Sequence, residues 1–357
     1  MRLSTKHHAH LREALRWTPT ERLTPRTLAI ALFAMGVPVL TGFALGRPGM
    51  GLVIGLGSML LSAEVPGQQA EGGHGWGAAI VPALLAVPVA MLLSRAPWGD
   101  AAMVVLSVAA ATGVNWSRPA AGGAIRFIVF LILNLGLAAS GSGGAHRGGA
   151  ALLFGIGALW RAVLRRLFGR RHAPAPAPAI ETPPARVVTF DQRRHHFRRT
   201  MRTLQGWQYP IRLGFGLTAA LLLRDLWPER HFGWIVLTIA LLTPRTIEHL
   251  PVQITQRVAG TLAGVALARL ILLLAPGQVA LAATVVLLGV AAPLARAGNY
   301  AVYCLLSTPV ILLAMDAGSE GRAGLLEDRL IATIGGAAVI LLANWAMDRW
   351  LARGAEQ

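Results

Sequence analysis

The chain has 357 residues, 54% of them apolar and only 14% charged, with a mean hydropathy of +0.55. So little polar surface cannot cover two ordinary soluble domains, which excludes that class and points to a polytopic membrane protein. The net charge of +17 is not a nucleic-acid signature, because the arginines gather in the N-terminal tail, in mid-chain and at the ends of apolar runs, where they set topology.

Residues 1–26 carry Arg2, Lys6, Arg12, Arg16, Arg22 and Arg26 and are expected to be a cytoplasmic basic tail. Within it, 11–17 has the pattern of a short amphipathic helix lying on anionic headgroups. His7, His8 and His10 have no carboxylate or thiolate to complete a metal site, so they read as a solvated tail. About 26 polar and basic residues precede the first apolar run and no small-residue cleavage site follows, so the first span is expected to be retained.

Six apolar runs follow, at 27–45, 49–63, 78–94, 101–115, 124–140 and 149–167. Several fall short of the roughly 20 residues that a ~30 Å hydrocarbon core demands, so these are expected to be tilted, broken or extended by flanking aromatic and arginine residues. The second run carries Gly49, Gly51, Gly55 and Gly57 with no preceding strand and no following lysine. That favours close helix packing through Gly51 and Gly55 over a nucleotide-binding loop.

Residues 168–208 break the pattern. The Ala-Pro run at 173–184 cannot pack a core and predicts an extended linker. After it, Arg193, Arg194, His195, His196, Phe197, Arg198, Arg199 and Arg202 form a basic patch. Lying between two membrane halves, the patch fits anionic lipid and the positive-inside rule, and no nucleic-acid partner is expected.

The second half repeats the first, with runs at 209–226, 230–243, 257–275, 279–295, 299–316 and 330–350 and an offset of about 180 residues. Arg26 and Arg212 open corresponding spans, and Ala96-Pro97 and Ala275-Pro276 precede corresponding fourth spans. An even number of spans per half makes the repeat parallel and puts both termini in the cytoplasm, the side that then takes most of the Lys and Arg. The predicted fold is therefore all-α. A basic tail (1–26) leads into a first transmembrane repeat (27–167), a cytoplasmic Pro/Ala- and Arg-rich linker (168–208) and a second repeat (209–351).

No soluble-enzyme signature is present: no phosphate-binding glycine loop with lysine, no HExxH, no Gly-x-Ser-x-Gly. No catalytic residue, cofactor or metal is expected. The single cysteine, Cys304, lies in an apolar run and excludes an intramolecular disulfide or a cysteine metal site. Polar residues inside spans are costly, so the few present matter: Asn134, Arg269 and Asn344, with Arg126, Arg212, Arg257, Asp316 and Asp348 nearer the ends. The carboxylates all sit toward ends, which leaves no mid-membrane acid for a proton relay.

The richest stretch is 209–264, where Arg257 heads a run containing Thr261. Gly260, Gly264 and Ala268 recur every four residues and form one small-residue stripe suited to a neighbouring helix. Arg269 points away from that stripe and lies about 18 Å along the helix from Arg257. It either lines a pathway, in which case the cargo is anionic, or snorkels toward the outer surface. The second runs of both halves, 49–63 and 232–244, are short, as in transporters whose interrupted helices meet the substrate.

At these residues the chain resembles a known family. His231-Phe-Gly-Trp234-Ile-Val-Leu-Thr238, Pro244-Arg245, Arg257-Val-Ala-Gly260-Thr261-Leu-Ala-Gly264, Tyr300 to Thr308 and Arg329-Leu-Ile-Ala-Thr333-Ile-Gly335 are similar to the core of the fusaric acid resistance protein-like (FUSC) family. That family is related to aromatic acid exporters and, more distantly, to plant aluminium-activated malate transporters. The resemblance covers 209–345; the first half lacks an Arg-x-x-Gly-Thr, and the large soluble domain of some relatives is replaced by the linker.

The resemblance implies a bacterial inner-membrane exporter of aromatic or other organic acids, with a periplasmic adaptor protein and a homodimer as expected partners. The expected substrate pathway comprises Trp234, Thr238, Arg245, Arg257, Thr261, Arg269 and Tyr300. There Arg257, Arg245 and Arg269 attract a carboxylate, and Trp234 and Tyr300 stack an aromatic ring. Gly260, Gly264 and Gly335 are expected to pack helices. A passive organic anion channel and a non-transporting membrane scaffold or lipid-binding protein are the alternatives.

Overall fold

The computed structural model describes residues 16–17, 24–62, 75–140, 148–168, 189–227, 233–243, 250–274, 277–296, 298–316 and 325–355. Among them the chain is helical throughout, with no strand. The first half holds α1 (Pro25–Ala44), α2 (Pro48–Ser62), α3 (Gly75–Leu93), α4 (Gly99–Thr112, prolonged by a 3-10 turn at Gly113–Asn115), α5 (Arg118–Ser140) and α6 (Gly149–Phe168). A short α7 (Phe190–Met201) follows, then α8 (Leu204–Leu226), α9 (Gly233–Leu242), α10 (Leu250–Leu273), α11 (Gln278–Arg296), α12 (Tyr300–Asp316) and α13 (Leu325–Ala355).

The helices begin and end where local chemistry requires. Thr24 caps α1 by accepting from the backbone N–H of Thr27 at 3.2 Å, with Pro25 at the first helical position. Gly46, at φ +67°, takes the left-handed conformation that turns the chain into α2. The return is tight: a Cβ on Gly51 would lie 2.5 Å from the carbonyl oxygen of Pro38, so α1 and α2 touch backbone to backbone. The glycines of the second run are packing residues, as their spacing predicts.

α1, α5, α10, α11 and α13 are long and apolar enough to cross a membrane. The twelve apolar runs of the sequence all appear as helices, yet the segments Pro48–Leu61, Ile80–Leu93, Gly99–Asn115, Gly233–Leu242 and Tyr300–Leu313 are too short to do so unaided. Large apolar side chains face outward on most of the long helices, among them Leu40, Leu85, Phe215, Leu270 and Leu342. An outer surface of that kind is stable only against hydrocarbon, and the molecule is a polytopic membrane protein.

Helix pairing follows a regular scheme. In the first half α1 packs on α2, α2 on α6, α3 on α5 and α4 on α5; in the second α8 packs on α9, α9 on α13, α10 on α12 and α11 on α12. Between the halves α4 meets α8, α11 meets α1, α5 meets α9 and α12 meets α2. An ion pair of 2.7 Å between Arg224 and Asp100 ties the end of α8 to the start of α4. At the opposite ends of these helices the Asn115 amide donates to the Gly206 carbonyl at 2.9 Å.

The basic patch is a helix rather than only a charge run. Thr189 and Gln192 form a capping box at the start of α7, Asp191 sits in its first turn, and Arg198 and Arg199 sit in its last, each favourable to the helix dipole. No residue of α7 is buried, but Phe190 and Phe197 both lie 5.5 Å from the Trp116 ring, which docks the helix on the end of the first half. Of the expected helix at 11–17, only Arg16 and Trp17 are described; they lie against the α11–α12 turn, where the Asn299 amide donates to the Arg16 carbonyl at 3.2 Å. The Ala-Pro linker lies outside the described residues.

Candidate functional site

The second half buries a cluster of cations and rings that has no described counterpart in the first. Arg257 on α10 is 4% exposed and Arg329 on α13 is 2% exposed. By contrast α3, which packs on α5 as α10 packs on α12, has no charged residue in its sequence. Such burial is expensive for a guanidinium unless its donors and its charge are met.

They are met only in part. Arg257 donates from Nη1 to the Tyr300 hydroxyl at 2.8 Å, and its Nε finds no partner among the described residues. Arg329 lies with its guanidinium 4.2 Å over the Trp234 ring, and its Nε and Nη1 find no partner among the described residues. Among the described residues neither arginine is paired with a carboxylate. The two are close enough to repel each other, and both lie within electrostatic reach of Tyr300 and Cys304.

The line continues toward the α11–α12 turn. Tyr300 stacks on Tyr303 at 5.8 Å, and Arg296 sits 5.0 Å over the Tyr303 ring. Asn299 fixes this end by accepting from the backbone N–H groups of Ala301 and Val302, which caps α12. Arginines and aromatic rings thus alternate along the inner faces of α9 to α13, an arrangement that attracts anions into an apolar interior.

Close helix contact holds the cluster in place. A Cβ on Gly260 would lie 2.4 Å from the Ala301 carbonyl oxygen and 2.7 Å from the Cys304 Cβ, and one on Gly264 would lie 2.8 Å from the Thr308 Cβ. α10 and α12 therefore meet along the Gly260–Gly264–Ala268 stripe, which sets Arg257 beside Tyr300. Thr261 is buried on the same helix. Gly335 is different: a Cβ there would meet only the Ile235 Cδ1 at 3.9 Å, an ordinary contact. The tight approach of α13 to α9 falls at its neighbour Gly336, 2.8 Å from the Thr238 Cγ2.

Of the expected pathway residues, the structure gathers Trp234, Arg257 and Tyr300 around the cluster. Thr238 is fully buried with its hydroxyl unpartnered. Arg269 is exposed on the outer surface of α10, away from the cluster. Arg245 lies outside the described residues, as does the loop at 228–232. The rings expected to stack on a ligand already have partners, since Arg329 covers one face of Trp234 and Tyr303 covers one face of Tyr300.

Arg329 and Tyr303 fall in segments that carry the resemblance, but like Arg296 they are not in the expected pathway, because each sits near a helix end, where an arginine or tyrosine ordinarily faces the headgroups. Arg212 and Asn344, the other buried polar pair, have a structural role. Arg212 donates from Nη1 to the Asn344 side-chain oxygen and from Nε to the Gln208 carbonyl, binding α8 to α13.

Searches of curated proteins and of solved structures find no match to this chain. One family model does match, over residues 218–343, a segment that contains Trp234, Arg257, Tyr300 and Arg329 together. Its description is fusaric acid resistance protein-like, and the class it supports is membrane transport. Residues 218–343, the part of the chain that carries the buried cation cluster, are thus similar to the fusaric acid resistance protein-like family.

Proposed function

We propose that the protein is an inner-membrane transporter that moves organic acid anions outward, with aromatic acids among its substrates. The observation that carries this reading is Arg257: buried, bonded on one side to Tyr300 and without a carboxylate partner among the described residues. A fixed cation held in a low-dielectric interior by a neutral hydroxyl is stabilised by an arriving anion, and a neutral or cationic cargo gains nothing there. No catalytic role is assigned to the cluster, which holds no general base poised on a nucleophile.

The proposed topology is two parallel six-helix repeats with both termini in the cytoplasm. The matched helix pairings of the two halves support it, as does the Arg224–Asp100 pair, whose members this topology puts at the same membrane face. α7 and the tail then meet anionic lipid on the cytoplasmic side. A periplasmic adaptor and a second copy of the chain are proposed partners on the strength of the resemblance alone.

The test is flux of a labelled aromatic carboxylate in vesicles carrying the purified protein, with and without an imposed pH gradient. Flux above that of protein-free vesicles is the expected result, and accumulation driven by the gradient marks a coupled exporter. Flux that only equilibrates favours the channel reading, which the lack of a carboxylate beside either arginine among the described residues supports. Absence of flux for every acid tried would overturn both and leave the scaffold.

A further inference from the structure

Away from the cation cluster, the outer face of the bundle carries a groove between α8 and α13. Ile211 and Phe215 wall it on one side and Leu342, Trp345 and Trp350 on the other, each with much of its side chain exposed, and Arg212 lies buried in its floor. Arg212 directs Nη1 and Nε inward, to Asn344 and the Gln208 carbonyl, and the groove lining is apolar almost throughout. We propose that this groove is a binding site for one phospholipid of net negative charge, with an acyl chain between the walls and the phosphate on Arg349.

Position and size select the acyl chain. The walls belong to the surface that meets hydrocarbon, and a slot left empty there forfeits the dispersion contacts of its lining. The groove holds about 350 Å³. A methylene is about as large as a water molecule, ~30 Å³, so about twelve of them fit, which is most of one chain and not two. The groove's end and its charge select the headgroup. The membrane-crossing stretch of α13 ends at Trp350, so that end of the groove reaches headgroup depth, where a tryptophan keeps its ring in hydrocarbon and its N–H in water. Arg349 adjoins it and holds its guanidinium 4.1 Å over the Trp345 ring, which sets a cation beside the wall of an apolar slot. A phosphate there gains a charge-assisted contact. Phosphatidylcholine brings its own cation to that place, whereas phosphatidylglycerol brings none and gains more. Asp348, exposed beside Arg349 in sequence and not part of the lining, opposes the anion and keeps the preference moderate.

The test is native mass spectrometry of the purified full-length protein in detergent, with phosphatidylglycerol and phosphatidylcholine of identical chains added in equal amounts. The wild-type protein should retain one lipid per chain, with phosphatidylglycerol favoured about fivefold. Arg349→Gln should bring that ratio close to one while one lipid is still retained, and Arg349→Lys should keep part of the preference. Ala346→Trp, at an exposed position in the lining, fills the groove and should abolish retention of both lipids with helix content unchanged. Equal retention of the two lipids by the wild-type protein would overturn the proposal without any variant. A preference that survives Arg349→Gln would also overturn it and assign the selectivity to the arginines of α7, which that variant leaves intact. Lipid still retained by Ala346→Trp would place the lipid elsewhere, and a dimer that Ala346→Trp splits into monomers would give the groove to a second copy of the chain. None of these outcomes depends on anion flux, so the lipid site and the transport reading fail separately.

Discussion

At the scale of single residues, the buried arginines divide by the partners they have. Arg212 is met by Asn344 and the Gln208 carbonyl and acts as a brace between α8 and α13. Asn344→Ala would leave an Arg212 donor unmet inside the bundle, and should lower stability to denaturation in detergent by about 1–2 kcal/mol. Its flux per folded molecule should not change. Among the described residues Arg257 is held by the Tyr300 hydroxyl with no carboxylate beside it, and its charge is left for a ligand. Arg257→Gln removes a charge-assisted contact of about 1.5–3 kcal/mol, so anion flux should fall about tenfold or more with insertion unaffected. Arg269, exposed on the far side of α10, is the control: Arg269→Ala should leave flux within about twofold, as surface changes usually do. A large loss at Arg269 in the same vesicle assay would return it to the pathway and demand a route along the outside of α10.

At the scale of helices, glycine contacts decide which elements approach closely enough to build the cluster. At Gly260 an added methyl group meets a backbone carbonyl that has nowhere to go, so Gly260→Ala should cost about 1–3 kcal/mol. Because the same contact sets Arg257 against Tyr300, it should also weaken anion binding. Gly335→Ala makes only an ordinary contact with the Ile235 Cδ1 and gains helix propensity of about 1 kcal/mol, so it should be neutral or stabilising. Melting curves of the two variants in one detergent would separate them. The helices themselves were legible in the sequence: each apolar run became a helix, because a run of apolar residues in lipid has no other way to satisfy its backbone. The stripe Gly260–Gly264–Ala268 was legible for the same kind of reason, its period being that of the helix. What the sequence did not disclose is contact between distant segments. Arg329 and Trp234 are 95 positions apart (329 − 234), and nothing in their spacing says that one lies over the other. Gly335 and Gly336 are equally small, and only the rotation of α13 against α9 picks the second. The basic patch gave its charge but not its helix, since the cap at Thr189 and Gln192 is a local signal that a run of arginines obscures.

At the scale of the whole molecule, the two halves are joined by packing as well as by the chain. α11 lies on α1, α4 on α8, α12 on α2 and α5 on α9, so each half presents to the other faces that neither can cover alone. The cation cluster, however, belongs to helices of the second half only. These facts bear on what the linker does. On the expectation from its Ala-Pro composition, the linker would serve as a tether that raises the local concentration of one half around the other, to about the millimolar range for a short connection. Once the halves have assembled, their packing holds them and the tether adds little. A protease site placed within 173–184 and cut after purification should therefore leave anion flux within about twofold, with both fragments eluting together. Expressing the second half alone should give a different result. It retains Arg257, Tyr300 and Arg329, but the faces of α8, α9, α11 and α12 that meet the first half would be exposed, so it should insert without transporting. Co-expression of the first half as a separate chain should restore flux. Full activity from the second half by itself would show that the first half is dispensable to the pathway; loss of flux on cutting an assembled pair would show that the linker does more than tether the halves.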